Sequence, residues 1–267
     1  MNPRYKNTMK TKHLFMTTCA ALVTSAAVQA ATSVTNWKTW NNDTTVSSGL
    51  NTDSPTFGNG TSNNADGLWY AGKFGSAVTL GIGDTLTVSA IINLTGGNHD
   101  TGDNDFRLGI FNDGGQFDAN SGENWSAGYM LVPGTDLFQI RTNGAFISTA
   151  TNAVDLNATK INNGLFRGNH VEDYVFSMSI TRDSATTVDI VSSLTRNDSI
   201  YEKLYTENDR ATSNFTFTAM GGSFGGNLNL DQGSYSNAQY EVTSVPEPSA
   251  AALLSFGGVA LMMRRRK

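Results

Sequence analysis

Four groups of residues in this chain have types and spacings that could do chemistry. Gly221-Gly222-Ser223-Phe224-Gly225 matches the G-x-S-x-G nucleophile pattern letter for letter. That pattern works when a strand-to-helix turn exposes the serine and a histidine base and an acid follow it in the chain. No helical periodicity follows here, and His99 and His170 both precede Ser223. The segment reads instead as a glycine-rich turn between strands 215–219 and 228–230. Glycoside hydrolysis needs two carboxylates facing one cleft. Glu123, Glu172, Glu202, Glu207 and Glu241 are scattered through the chain. Glu202 and Glu207 lie an odd number of positions apart, which puts them on opposite faces of a strand.

The third group is a loop, His99-Asp100-Thr101-Gly102-Asp103-Asn104-Asp105. Asp100, Asp103 and Asp105 are hard oxygen ligands at close spacing, as Ca²⁺ requires. Their spacing matches neither an EF-hand nor a glycine-rich calcium repeat, and a solvated acidic turn is the plainer expectation. Calcium is therefore the one candidate cofactor. Two isolated histidines and no body cysteine supply no zinc set. The fourth group is aromatic. Trp37, Trp40, Trp69, Tyr70 and Trp125 lie in polar segments, where exposed rings can stack on sugars. Trp69 and Trp125 are the better candidates for glycan contacts, because glycine and asparagine surround them. Capping of a core is the alternative use of such rings.

The elements that must position these residues are strands. Leu86, Val88, Ala90, Ile92 and Leu94 alternate with polar residues over 85–94. Phe106, Leu108 and Ile110 repeat the pattern, as do Tyr174, Phe176, Met178 and Ile180, then Val188, Ile190 and Leu194. Phe215, Phe217 and Ala219, and Ala238, Tyr240 and Val242, continue it. Period-two alternation with β-branched and aromatic residues marks half-buried antiparallel strands. Shorter candidates are 128–132, 137–141 and 145–148. Gly, Asn, Asp and Ser clusters such as Asn112-Asp113-Gly114-Gly115 and Arg182-Asp183-Ser184 separate them and supply turns. About ten strands, each with one apolar face, imply an all-β fold, an antiparallel two-sheet β-sandwich of jelly-roll type over residues 31–244.

Both ends read as processing segments. Lys10 and Lys12 precede an apolar run from Leu14 to Val28, and Val28-Gln29-Ala30 offers a cut between Ala30 and Ala31. Residues 1–30 are thus expected to be a signal peptide, opened by Met1 or Met9 and removed by signal peptidase. Cys19, the one cysteine, lies in this leader with Thr18 before it, which does not fit a lipidation site. The body 31–244 keeps 10 basic and 22 acidic residues. Such an acidic body argues against nucleic acid and anionic lipid as partners.

The carboxyl end, residues 245–267, has three parts in order. Pro246, Glu247 and Pro248 form a stiff turn, an apolar run of about 15 residues follows to Met263, and Arg264, Arg265, Arg266 and Lys267 close the chain. The run is shorter than the roughly 17–25 residues of a stable spanning helix, and the basic cluster resists translocation. A short transmembrane helix that stops transfer only transiently is the expectation. This tail resembles the PEP-CTERM sorting signal of Gram-negative bacteria in its Pro-Glu-Pro, its short Ala/Leu/Gly/Val helix and its closing arginines. The resemblance implies recognition by an exosortase, cleavage near Pro246–Pro248, and delivery from the inner membrane to the cell surface or extracellular matrix. The cadence of 106–112, 174–180 and 238–242 resembles strands of concanavalin A-like sandwiches and the bodies of other PEP-CTERM proteins.

Together these readings lead to the expectation of an exported, non-catalytic surface or matrix protein, glycan-binding or adhesive, whose partners are the two processing enzymes and extracellular polysaccharide. A carbohydrate-active hydrolase on the same sandwich is the alternative.

Overall fold

The computed structural model of the chain describes residues 27–40, 47–58, 67–96, 106–117, 127–132, 137–142, 154–155, 171–196, 202–224 and 230–245. They belong to one compact unit, Ala26–Glu247; the second unit, Met1–Ser25 with Pro248–Lys267, lies outside the described residues. Every described element is a strand: β1 (Ala27–Val28), β2 (Thr32–Ser33), β3 (Asn36–Trp40), β4 (Thr56–Phe57), β5 (Leu68–Thr79), β6 (Thr85–Gly96), β7 (Phe106–Asn112), β8 (Ala127–Val132), β9 (Leu137–Thr142), β10 (Val154–Asp155), β11 (Val171–Arg182), β12 (Thr187–Arg196), β13 (Glu202–Ala211), β14 (Thr216–Phe224) and β15 (Leu230–Ser244).

Pairing is antiparallel throughout and makes two sheets. Sheet A runs β1-β15-β6-β11-β12-β13, with β2 and β4 also on β15; sheet B runs β10-β9-β8-β7-β14-β5-β3. The all-β two-sheet sandwich expected from the alternation is the fold observed. Each of the alternating apolar sets on β6, β11 and β12 is buried between the sheets. Facing them from sheet B are Leu68, Tyr70 and Phe74 of β5, Leu108 and Ile110 of β7, Tyr129 and Leu131 of β8, and Phe217 and Phe224 of β14. Burying each such large apolar side chain stabilises the fold by about 1.5–3 kcal/mol. At one end of this core Trp37, Phe57, Tyr70, Phe224 and Tyr235 form a single aromatic cluster. The indole of Trp37 is anchored by its N–H, which donates to the Val34 carbonyl at 2.9 Å.

The structure corrects several expectations. Gly221, Gly222, Ser223 and Phe224 are not a turn but the end of β14, between β5 and β7. Glycine serves there because the neighbouring strand comes too close for a side chain. A Cβ on Gly222 would lie 1.7 Å from the Arg107 carbonyl oxygen. Ala219 does not share a face with Phe217, because the pairing of β14 with β5 shifts register between them. An extra residue in a strand reverses the alternation beyond it. Trp37 and Tyr70 are core residues on β3 and β5 rather than a sugar platform. Strands β5 and β13 had no clean alternation to announce them. β5 breaks its pattern at the exposed Gly75-Ser76-Ala77, and β13 is an edge strand made mostly of polar residues.

Candidate functional site

The face of sheet B turned away from the core gathers side chains from five strands. Alternation puts Trp69, Ala71 and Lys73 of β5 on this face, opposite Leu68, Tyr70 and Phe74. Register then brings Trp40 beside Trp69, Lys38 beside Ala71, and Asn36 beside Lys73. On the other side of β5 the partners are Ser223, Gly221 and Ala219 of β14, and beyond them Arg107, Gly109 and Phe111 of β7. One row across the sheet is therefore Trp40, Trp69, Ser223 and Arg107. The next is Lys38, Ala71, Gly221, Gly109 and Met130.

Trp69 is half-buried. The Arg107 guanidinium carbon lies 5.5 Å from its ring centroid, within the range of a cation–π contact. The same guanidinium reaches across Ser223, donating from Nη1 to Oγ at 3.4 Å. This settles the chemistry of Ser223. It is a buried strand residue, 2% exposed, and the guanidinium beside it cannot accept its proton. A nucleophile elbow is absent here.

Below this row the face becomes apolar. Trp40, Ala71, Phe111, Phe117, Met130 and Ala219 pack as a second cluster, with Trp69 against its edge. Phe117 meets Trp40 edge to face at 5.8 Å. The Asp113 turn holds Phe117 in place. Gly114 and Gly115 take positive φ of 59° and 79°, which returns the chain over β7. The Asp113 carboxylate accepts the Thr218 hydroxyl at 2.8 Å, the Gly115 amide at 3.1 Å and the Phe117 amide at 3.2 Å. Lys38 and Lys73 then place their ammonium groups 5.9 and 5.4 Å from the Phe117 centroid.

Of the residues singled out from the sequence, Trp40, Trp69 and Ser223 are on this face. Trp125, Asp100, Asp103, Asp105, Pro246, Glu247, Pro248, Arg264, Arg265 and Arg266 lie outside the described residues. Ala30 and Ala31, the expected leader cut, are exposed between β1 and β2. The two residues of β1, inside the expected leader, pair with Ser244 and Thr243 of β15. Among the described residues no group of three His, Cys, Asp or Glu is placed to hold a metal ion. Glu207 lies across the molecule on β13, accepting the Tyr205 hydroxyl and paired with Arg210. Arg107 and Lys73 escaped the sequence reading because single basic residues in strands carry no motif. Their meeting depends on register alone.

This architecture recurs among solved structures. The chain is similar to arcelin-5, a lectin-like defense protein from Phaseolus vulgaris, with a TM-score of 0.50 and 9% identity over 83% of this chain and 99% of that one. The sandwich shares the fold of that protein. It is also similar to peanut lectin, with a TM-score of 0.49 and 12% identity over 84% of this chain and 98% of that one. For lectin I-B4 from Griffonia simplicifolia the values are 0.46 and 6%, over 78% and 92%. No family model and no curated protein sequence matches the chain. At such identities the likeness concerns the fold.

Proposed function

We propose that the chain is an exported, non-catalytic protein of the cell surface or extracellular matrix that binds glycan on the outer face of sheet B. The observation that carries this reading is the row Trp69, Ser223 and Arg107. A sugar ring has an apolar face and a rim of hydroxyls. A half-buried indole beside a guanidinium offers apolar area and hydrogen-bond donors to such a rim together. The fold supports the same reading, since arcelin-5, which shares it, is described as lectin-like. The tail 245–267, by its resemblance to a PEP-CTERM signal, is the address: an exosortase cuts near Pro246–Pro248 and the sandwich is released or attached outside the cell.

The test of the binding face is titration of the purified chain against a panel of soluble polysaccharides, with reducing-sugar release followed in parallel. The expectation is binding without release, and a Trp69→Ala variant at least tenfold weaker. Binding to no glycan, or release of reducing sugar that one Asp or Glu substitution abolishes, would overturn the proposal. The address is tested by intact mass: surface or released material from a strain with a working exosortase should lack the residues beyond the Pro-Glu-Pro turn. Full-length chain ending at Lys267 in that strain's membranes would count against it.

A further inference from the structure

We infer that Asp84 sets the rate at which the tail is cut: its carboxylate fastens Val245 to the body, and the cut waits until Val245 comes away. This rests on the reading of 245–267 as an address removed near Pro246–Pro248, and it names a positioning residue for that step. Strand β15 ends at Ser244, and Pro246 has no N–H. The amide of Val245 is thus the last backbone donor before the Pro-Glu-Pro turn. On β6 the ladder with β15 stops at Thr85, the partner of Thr243. Beyond it Gly83 turns its amide away to the Arg182 carbonyl, at 2.7 Å. Asp84 supplies the acceptor that the ladder does not. Its Oδ1 accepts the Val245 amide at 3.1 Å, and its Oδ2 accepts the Gly81 amide at 2.9 Å.

The valine side chain is held as well. Gly83 takes a φ of +88°, and a Cβ placed on it would lie 3.3 Å from Val245 Cβ and Cγ2. Val245 therefore lies directly over the β5–β6 turn. That turn is itself braced. The Arg182 amide donates to the Asp84 carbonyl at 2.9 Å. The Arg182 guanidinium donates to the Leu80 and Ser184 carbonyls at 2.8 and 3.1 Å and sits 3.8 Å from the Phe215 ring centroid. Only Pro246, Glu247 and Pro248 separate Val245 from the apolar run. A cut among those residues needs extended chain on both sides of the bond, so Val245 must leave the turn for an enzyme to take it. Local opening of this kind costs less than unfolding the sandwich. Where opening and closing are fast, cleavage tracks the population of the open form. The strength of the Asp84 hold then becomes a rate. Val245 is 48% exposed, so the hold is modest and its release changes that rate severalfold.

The experiment follows conversion of the full chain to its shortened form, by pulse labelling and intact mass, in a strain with a working exosortase. Asp84→Ala should be converted about three- to tenfold faster than the wild type, with circular dichroism unchanged. Asp84→Asn keeps one acceptor oxygen and should fall between the two. Tyr235→Phe, ten residues back along β15, loosens the core without touching Val245 and should be converted at the wild-type rate. In the purified full chain, amide exchange at Val245 should rise severalfold in Asp84→Ala and stay unchanged in β6 and β11. Conversion of Asp84→Ala no faster than the wild type would overturn the inference while leaving the address reading in place. Equal acceleration by Tyr235→Phe would do the same, because loosening of the whole sandwich would then suffice. Exchange at the wild-type Val245 amide as fast as in unfolded chain would also overturn it. No conversion of the wild type would overturn the address reading and this inference with it.

Discussion

The hydroxyl of Tyr235, on sheet A, donates to the hydroxyl of Tyr70, on sheet B, at 2.9 Å in the middle of the aromatic cluster. It ties the two sheets at a point that water does not reach. Leaving one buried hydroxyl without its partner costs more than removing both. Tyr235→Phe alone should therefore destabilise the chain by about 1–3 kcal/mol, and so should Tyr70→Phe. The double variant should cost less than the sum, with a coupling of about 1 kcal/mol. Denaturant unfolding of the four proteins measures it, and strict additivity would contradict the bond.

Burial pushes the phenols of Tyr70 and Tyr235 well above their ordinary 10.0. It raises Tyr129 and Tyr205 as well, the latter with help from the Glu207 carboxylate. The native state thus keeps these protons where the unfolded chain releases them. Stability is complete below about pH 10 and declines as pH rises from there toward the native values, each such group contributing up to about 1.4 kcal/mol per pH unit. Tyrosinate absorbance from these residues should appear together with the loss of near-ultraviolet circular dichroism. Smooth titration of all 8 tyrosines near pH 10 with the fold intact would refute this.

Two glycine variants should separate close approach from backbone conformation. Gly222→Ala drives a Cβ to 1.7 Å from the Arg107 carbonyl oxygen and 2.7 Å from its carbon, forcing β14 and β7 apart. An overpacked core site typically costs 1–3 kcal/mol, and this one, against backbone, should cost about 3 or more. Gly115→Ala meets nothing within 4 Å but keeps a φ of +79°, so it should cost only about 1–2 kcal/mol. The order of the two unfolding midpoints is the check.

Asp113 is the hinge between the turn and the apolar part of the site. Asp113→Ala takes the acceptor from the amides of Gly115 and Phe117 and leaves the Thr218 hydroxyl only the Phe111 carbonyl at 3.5 Å to donate to, and should cost about 1–3 kcal/mol. Hydrogen exchange at the Phe117 amide should rise more than at amides of β6 or β11. Uniform acceleration across the sandwich would mean that the carboxylate supports the whole fold rather than this turn.

How far the sequence carries depends on the range of the physics involved. Alternation on β6, β11 and β12 is local, so those strands and their buried faces were legible residue by residue. The same holds for the Asn112-Asp113-Gly114-Gly115 turn, whose residues favour positive φ on their own. Strand β13 was not legible, because an edge strand needs little apolar surface to be held by its neighbour. The glycine pattern around Ser223 misled for a related reason. Glycine serves both turns and crowded strands, and only the approach of β5 and β7 distinguishes them.

The site divides the same way. By itself the sequence determined that this is an all-β chain with an acidic body and an aromatic at position 69 in a polar setting. Tertiary structure alone decided that Trp69 meets Arg107 across Ser223, and that Lys38 and Lys73 converge on Phe117. These residues are far apart in the chain, and their proximity is set by strand order, by register and by the shift between Phe217 and Ala219. One residue of slip would send each of them to the opposite face.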